Sequence, residues 1–402
     1  MEYSFRMTTK MFFTNDNMSM RPFCIFLNVL WGFLFFGCSG QRNQVPVTVY
    51  GNDIEIQLEQ FTFISQDSVL ELKSYSTTSY FEQDSIKGVI SYNRFTHALD
   101  FMNLSGEKVI SSIRLQREGP DGIPGKINSI CPVAIDSIWA YDGQFLYLIN
   151  ADGHVSNKLE FKNKEEIIIQ TNHAMNTAKF MYNGNNHSLV YLRHFNGIWM
   201  IEEYGIEQGL VINRYRLEYS VCNPMGKKSY ADLEAPNINF SPQGIVYNYP
   251  YESTVYVLDT ITRSTQMYGG ASRYTSNFVK ECDAMDDYSA WRRHGIENTH
   301  FYDVMYLSDY NLFVRPHLGG ADMSLGKNFR ELGDGRLLYL TFFDEHFNVV
   351  GEFCMERHKF SYFTGWCALP DALLLYEDNS LSEEVDYDHL VVDLVFPMKG
   401  LN

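Results

Sequence analysis

The residue whose setting points most directly to chemistry is Cys38. It follows the stretch Pro22–Phe36, which is apolar except for Asn28, and Gly37 stands immediately before it. A stretch of this length suits the core of a secretory signal peptide and is short for a membrane-spanning helix, which needs about 20 residues. The pattern predicts a secreted protein in which a nucleophilic thiol comes directly after the leader.

The segment Phe35-Phe36-Gly37-Cys38 resembles the lipobox of bacterial lipoproteins. The resemblance implies that the Cys38 thiol is alkylated with diacylglycerol and becomes the mature N-terminus, because only a nucleophilic sulfur can form the thioether. Residues 1–37 would then be the signal peptide, with a natural start at Met18 or Met20. The expected location is the outer membrane of the cell envelope, on its periplasmic or surface side. An uncleaved membrane anchor and a buried apolar strand remain alternatives.

A second set of residues suits ligand binding. Trp291, Arg292, Arg293 and His294 are consecutive in the segment Ala271–Thr299, which lacks the strand pattern of the rest of the chain and is expected to be partly helical. An indole ring can stack on a sugar or a peptide, so we predict that these four residues contact a ligand. The alternative is a surface helix on which the arginines pair with the acidic residues before them.

Other chemistry has little support in the sequence. The acidic residues between positions 377 and 388 match no calcium loop. Five histidines between positions 294 and 358 could converge at one end of a propeller, but isolated histidines are far more common than metal ligands. The His-Glu-x-x-His, Gly-x-Ser-x-Gly and P-loop motifs are missing. We therefore predict no catalytic residue, no metal and no cofactor.

The composition excludes some partners and favours one type of secondary structure. A formal net charge of −17 repels polyphosphate, which argues against nucleic acid as a main partner. Aromatic residues make up 15% of the 402 residues, and aromatic side chains fit the half-buried surface of a sheet. The cysteines after Cys38 are widely spaced, so they are expected to be core residues, although one disulfide is possible.

Short apolar runs joined by tight turns recur along the chain. Ser137–Tyr141 and Phe145–Ile149 are separated by Asp142-Gly143, a strong hairpin signal because glycine tolerates the positive φ of a tight turn. Six such groups are centred near residues 95, 145, 195, 250, 325 and 380. They predict an all-β protein, a six-bladed β-propeller of four-stranded antiparallel blades with one partly helical insertion. Residues 38–50 are expected to be a tether and residues 51–402 a single domain.

One stretch adds a family resemblance. Ile113-Arg-Leu115 leads into Arg117-Glu-Gly-Pro120, and the run Asp136-Ser-Ile-Trp-Ala-Tyr-Asp142 follows. This stretch is similar to the loop between blades in TolB-like six-bladed β-propeller lipoproteins of Bacteroidetes-type bacteria. The resemblance implies the same fold and an envelope location. It implies no activity, since members of this group are mostly of unknown function.

These observations lead to one functional expectation and one alternative. The first is a lipid-anchored envelope protein that acts as a binding or scaffolding module through the loop-lined end of the propeller, with a glycan, a peptide or another envelope protein as its partner. The alternative is a carbohydrate-active hydrolase or lyase that uses two carboxylates on loops. Two carboxylates roughly 5–10 Å apart in a deep pocket would favour the enzyme. A neutral or aromatic mouth would favour binding.

Overall fold

The structure is a computed structural model that describes residues 45–402 except 66–68, 71–74, 76, 84–85, 106–108, 162–165, 173–174, 179, 220–228, 283–286, 326, 361–364, 379–380, 382–387 and 400–402. The predicted signal peptide and Cys38 lie outside the described residues. Within them, no helix is long and apolar enough to cross a membrane. The chain from Val45 onward forms one compact unit.

The first half of this unit consists of short strands. Their bounds are β1 Ile54–Ser65, β2 Thr78–Gln83, β3 Ile86–Asn93, β4 Ala98–Asn103, β5 Val109–Arg114, β6 Ser129–Ala134, β7 Ser137–Tyr141, β8 Phe145–Ile149, β9 Val155–Glu160, β10 Ile167–Ile168, β11 Gln170–Asn172, β12 Met175–Ala178, β13 Met181–Asn183 and β14 Ser188–Phe195.

The second half continues the pattern and adds the helices. The strands are β15 Ile198–Gly205, β16 Leu210–Arg216, β17 Asn237–Ser241, β18 Gly244–Asn248, β19 Val255–Asp259, β20 Ser264–Tyr268, β21 His300–Phe301, β22 Met305–Leu307, β23 Leu312–Leu318, β24 Leu338–Phe343, β25 Val349–Cys354, β26 Trp366–Ala368, β27 Leu373–Tyr376 and β28 His389–Lys399. The helices are α1 Tyr288–Glu297 and α2 Phe329–Asp334, with 3-10 turns at Ala231–Leu233 and Met323–Leu325.

The predicted hairpins are confirmed where turn chemistry marked them. β7 and β8 have the bounds predicted from the sequence, and Gly143 in the turn between them has φ 94°. The insertion contains the expected helix, α1, but only in its last part. Helix α2 and strand β1 were not predicted.

Most strands pair with the next strand along the chain. The orders β6-β7-β8-β9 and β17-β18-β19-β20 are four-stranded and antiparallel. Two other sheets have five strands because their first strand is interrupted: β10 and β13 both pair with β14, and β21 and β22 both pair with β23. The predicted sheets of four antiparallel strands are therefore present, with two of them broken at the first strand.

The largest sheet joins both ends of the described chain. Its order is β2-β3-β4-β5-β1-β28-β27-β26, and β1 runs antiparallel to β28 from Ile54↔Lys399 to Ile64↔His389. Strands β1 and β5 are parallel over only two residue pairs, which makes this sheet mixed. On either side of this short parallel contact the pairing is antiparallel, from β2 to β5 and from β1 through β28 and β27 to β26.

The first strands of successive sheets meet around a ring, with one contact made by a neighbouring strand. β2 contacts β6, β6 contacts β13, β17 contacts β22, β22 contacts β26, and β26 contacts β2. Between β13 and β17 the contact with β17 comes from β12, which forms a separate two-stranded sheet with β11 just before β13. Sheets that follow one another along the chain and meet at their first strands around a common centre have the architecture of a β-propeller.

The hydrophobic core lies between neighbouring sheets. In the described part of the chain it divides into six clusters of buried residues, and each cluster draws on two successive groups of strands. One cluster, for example, packs Val255 and Val257 of β19 against Phe313 of β23 and Phe343 of β24. Burial of these faces is the main driving force that holds the sheets together.

Candidate functional site

A cavity of about 340 Å³ lies where the first strands meet. Its wall is formed by residues on or next to β2, β6, β13, β17, β22 and β26, the strands that meet around the centre. Four aromatic side chains give the wall its character: Tyr80, Tyr182, Phe240 and Tyr306. The other lining residues are Thr78, Ser79, Cys131, Pro132, Phe180, Met181, Asn239, Met305, Cys367 and Ala368.

The sheets also explain why backbone groups reach this cavity. Each lining strand is the last in its sheet order or pairs only with the second strand of its sheet. Its other edge therefore faces the centre, where backbone N–H and C=O groups have no neighbouring strand. Side chains alternate along each strand, so Ile238 of β17 packs in a core cluster while Asn239 and Phe240 line the cavity.

The polar lining side chains bond to the neighbouring sheet. Ser79 Oγ donates to the carbonyl oxygen of Ile130, at 3.0 Å. Asn239 Nδ2 donates to Asp303 Oδ2 and to the carbonyl oxygen of Val304, both at 3.0 Å. These contacts hold the first strands against one another. They also occupy hydrogen-bond donors that would otherwise be available to a ligand.

Asp303 is fully buried beside the cavity wall. One of its carboxylate oxygens accepts from Asn239, and the other accepts from the indole Nε1 of Trp366 at 3.0 Å. The three residues belong to three successive groups of strands. Because both oxygens are engaged, Asp303 acts as a structural link between strands, and it is not among the residues that line the cavity.

The hydroxyl groups of the three lining tyrosines are bonded to side chains on the same strand or in the turn that follows it. The bonds join Tyr80 to Glu82 at 2.8 Å, Tyr182 to His187 at 2.9 Å, and Tyr306 to Asn311 at 2.9 Å. Burial and the Glu82 carboxylate raise the pKa of Tyr80, with smaller contributions from Asp371 and Asp309. Tyr80 is therefore an uncharged phenol at neutral pH, and the hydroxyl group of each lining tyrosine already has a hydrogen-bond partner.

The described residues of the cavity wall carry no formal charge. None of the described residues that line the cavity is Asp, Glu, Lys, Arg or His, although the chain has a net charge of −17. The acidic side chains Glu82, Asp309 and Asp371 lie close enough to Tyr80 to raise its pKa. The described part of the wall is neutral, aromatic and sulfur-containing.

The four residues predicted to bind a ligand lie on α1. The helix begins after Asp287, whose side chain accepts from the backbone N–H of Ser289 at 2.8 Å and caps the first turn. Trp291 is half-buried, and its contact with a ligand stays a prediction. None of the four lines the central cavity.

The other three residues, Arg292, Arg293 and His294, contact neighbouring parts of the protein. The Arg292 guanidinium lies 4.9 Å from the ring centre of Phe329, on α2. Arg293 pairs with Glu297 one turn later at 3.7 Å, and His294 is buried with its Nε2 2.6 Å from the carbonyl oxygen of Lys280. Ligand binding by these residues stays a prediction.

Among the described residues, no group of three or more His, Cys, Asp or Glu side chains could hold a metal ion. Cys354 is a free, exposed thiol. Of the histidines, His317 is completely buried, with its Nε2 3.5 Å from Glu352 Oε1. Burial and the neighbouring Arg315 guanidinium hold the pKa of His317 well below its usual value, so this imidazole is neutral.

The sequence did not single out the cavity residues. Tyr80 and Phe240 contributed only to the aromatic composition, and they lie in strands far apart along the chain. The available signal was the repetition itself, because a ring of sheets must bring the first strand of each group to its centre.

These features define the class of protein: the chain is a β-propeller with a ligand-sized cavity at its centre. Among solved structures it is similar to a member of the DUF4221 family from Bacteroides vulgatus, with a TM-score of 0.67 and 15% sequence identity, over 87% of this chain and 99% of that chain. At this identity the likeness concerns the fold alone.

Other solved structures are less similar. The WD40 domain of Neurospora crassa Pan2 has a TM-score of 0.40 and 11% identity, over 80% of this chain and 89% of that chain. A luciferin-regenerating enzyme has a TM-score of 0.44 and 8% identity, over 86% of this chain and 96% of that chain. No protein-family model and no curated protein matches the sequence.

Proposed function

We propose that this protein is a six-bladed β-propeller that works as a binding or scaffolding module of the cell envelope, and that the central cavity is its ligand site. In this proposal a lipid on Cys38 holds it to the outer membrane. It would then resemble the TolB-like propeller lipoproteins in both fold and location.

The six-bladed count in this proposal rests on grouping the strands in fours. The groups begin with β2, β6, β13, β17, β22 and β26, and the last group is completed by β1. The six core clusters support this count, because each cluster joins two successive groups. The short parallel contact between β1 and β5 is then a contact between two blades.

The observation that carries the binding proposal is the neutral, aromatic wall of the cavity. A hydrolase or lyase of the kind considered above needs two carboxylates facing its substrate. No described residue that lines the cavity supplies one, and both oxygens of the nearby Asp303 are engaged. Aromatic rings on a rigid frame suit recognition instead, because they offer contact area with little loss of conformational entropy.

A capture experiment tests the binding proposal. The tagged full-length chain is purified from its native envelope, and the molecules bound to it are identified by mass spectrometry. Phe240→Ala removes an aromatic ring from the cavity, and Phe195→Ala is the matched control, because both side chains are about equally exposed, at 37% and 44%. We expect the bound molecules to be lost only with Phe240→Ala. Equal recovery from both variants would end the proposal that the cavity is the site.

The anchor is tested separately. Cys38→Ser removes the only sulfur that could carry the lipid at this position, so we expect the protein to move from the membrane fraction to the soluble fraction. A second variant, Cys354→Ser, is the control, because Cys354 is an exposed free thiol within the propeller. If Cys38→Ser stays with the membranes as the control does, the lipid anchor is wrong.

A further inference from the structure

We infer that the central cavity binds an uncharged, largely apolar small molecule, with a body about the size of two or three rings. This inference rests on the proposed function and adds to it the chemical class of the ligand. It follows from the charge of the wall, from the hydrogen bonds already formed there, and from the surface that remains.

Charge is the first constraint. A ligand that enters the cavity gives up contact with water, and an ion does so at a high cost unless an opposite charge receives it. The described lining residues offer no opposite charge to a cation or to an anion. Three acidic groups act on Tyr80, and they would also repel an anion that approached it: Glu82, Asp309 and Asp371.

Hydrogen bonding is the second constraint. The Thr78 hydroxyl is bonded to Ser91 at 2.8 Å and to Tyr376 at 2.9 Å. Ser79 donates to a carbonyl, the amide hydrogens of Asn239 are both used, and the three tyrosine hydroxyls are bonded to side chains of their own blades. Few side-chain donors on the described wall are left for a ligand, although backbone N–H and C=O groups at the strand edges remain.

This constraint separates an apolar molecule from a sugar. A sugar carries a hydroxyl on nearly every carbon, and each one that loses water without finding a partner weakens binding. The strand edges can satisfy a few polar atoms, but no described lining residue is charged. The amide side chain of Asn239 already uses both of its N–H hydrogens. The cavity therefore favours a molecule with few polar atoms.

What remains on the wall is apolar surface. The rings of Tyr80, Tyr182, Phe240 and Tyr306 can stack on a flat molecule. Met181 and Met305 add flexible, polarisable thioethers, which adapt to irregular shapes. The volume of about 340 Å³ lies at the lower end of the range of small-molecule sites, roughly 300–1,000 Å³.

Two fluorescent probes that differ in a single charged group test the inference. N-phenyl-1-naphthylamine is neutral, and 8-anilinonaphthalene-1-sulfonate has the same rings with one sulfonate. We expect the neutral probe to bind the full-length chain at one saturable site and the sulfonate to bind at least about tenfold more weakly. A naphthyl trimethylammonium cation and the neutral sugar maltotriose, added as competitors, should fail to displace the neutral probe.

Variants locate the site. Phe240→Glu introduces a charge into the cavity and should weaken binding of the neutral probe at least about tenfold. Phe195→Glu, on an exposed part of β14, should leave it unchanged. Circular dichroism of both variants distinguishes loss of the site from loss of the fold, and a milder change, Phe240→Ala, provides the measurement if Phe240→Glu does not fold.

The outcomes separate the ligand class from the proposed function. Equal or tighter binding of the sulfonate, displacement by the cation or the sugar, or neutral-probe binding that does not depend on Phe240 would overturn the inference. If envelope molecules are still captured in a Phe240-dependent way, the binding function survives and only the ligand class is wrong. If neither the probe nor any envelope molecule depends on Phe240, both fail.

Discussion

Arg315 is a buried cation that joins two blades, and its loss should be among the most destabilising single changes in the chain. Its guanidinium donates to the carbonyl oxygens of Ser253 at 2.7 Å and Gly270 at 2.6 Å, which belong to the preceding group of strands. The rings of Phe301 and Phe343 lie 4.6 and 5.2 Å from it. Burial lowers the pKa of Arg315 to about 9, so it remains protonated at neutral pH.

The size of the effect follows from these contacts. Arg315→Met removes two hydrogen bonds to a charged donor, each worth about 1.5–3 kcal/mol, and leaves two buried carbonyls without a partner. It also leaves the Glu352 carboxylate, whose side chain is 1% exposed, without the nearby positive charge. Removal of one partner from a buried charged set typically costs about 3–5 kcal/mol. That is a large part of the total stability of a typical domain, about 5–15 kcal/mol.

Equilibrium unfolding in urea at neutral pH measures this loss. The matched control is Arg330→Met, because the Arg330 side chain is 85% exposed and lies 3.7 Å from Asp334 on the same helix. An exposed pair of this kind contributes at most about 1 kcal/mol. A loss of less than about 1 kcal/mol for Arg315→Met, equal to that of the control, would refute the view that the blades are held together here by a buried cation.

Three further predictions concern stability and are measured by the same unfolding experiment. Burial and a neighbouring guanidinium lower the pKa of His317 in the folded protein. The contribution of neutral His317 to the free energy of unfolding is therefore complete above the unfolded-state pKa of about 6.5. It decreases by about 1.4 kcal/mol for each pH unit below that pKa. Between pH 7 and pH 5, His317→Phe should therefore lose less free energy of unfolding than the unsubstituted protein. Equal losses in the two proteins would contradict this. Gly244 has φ 128°, and a side chain there would overlap a carbonyl of the adjacent strand. Gly244→Ala should cost roughly 1–3 kcal/mol, whereas Gly184→Ala, with no atom closer than 3.7 Å, should be nearly neutral; equal effects would argue against the strain. Phe63 in β1 is fully buried and Leu58 is 49% exposed, so Phe63→Ala should cost about 3–5 kcal/mol and Leu58→Ala about 0.5 kcal/mol or less. A small effect of Phe63→Ala would mean that β1 does not close the ring.

The sequence was most informative where structure is decided locally. Asp142-Gly143 predicted a hairpin because the turn needs a positive φ, and Gly143 has φ 94° between strands of the predicted length. Helix α1 was expected from the break in the strand pattern. Its first turn depends on a local cap, Asp287, which the sequence also contains.

Contacts between distant parts of the chain could not be predicted in the same way. Strand β1 pairs with β28 over eleven residue pairs, from Ile54↔Lys399 to Ile64↔His389, and nothing within either strand specifies the other. The cavity has the same origin, since Tyr80 and Phe240 meet only because separate sheets close a ring. Arg315 could not be recognised either, because its partners are backbone carbonyls, which have no sequence signature.

A crystal structure of the protein soaked with N-phenyl-1-naphthylamine tests the central claim most directly. We predict six four-stranded blades around one axis, with the probe in contact with the rings of Tyr80, Phe240 and Tyr306. Electron density for the probe on α1 beside Trp291, or a ring with another number of blades, would contradict the account.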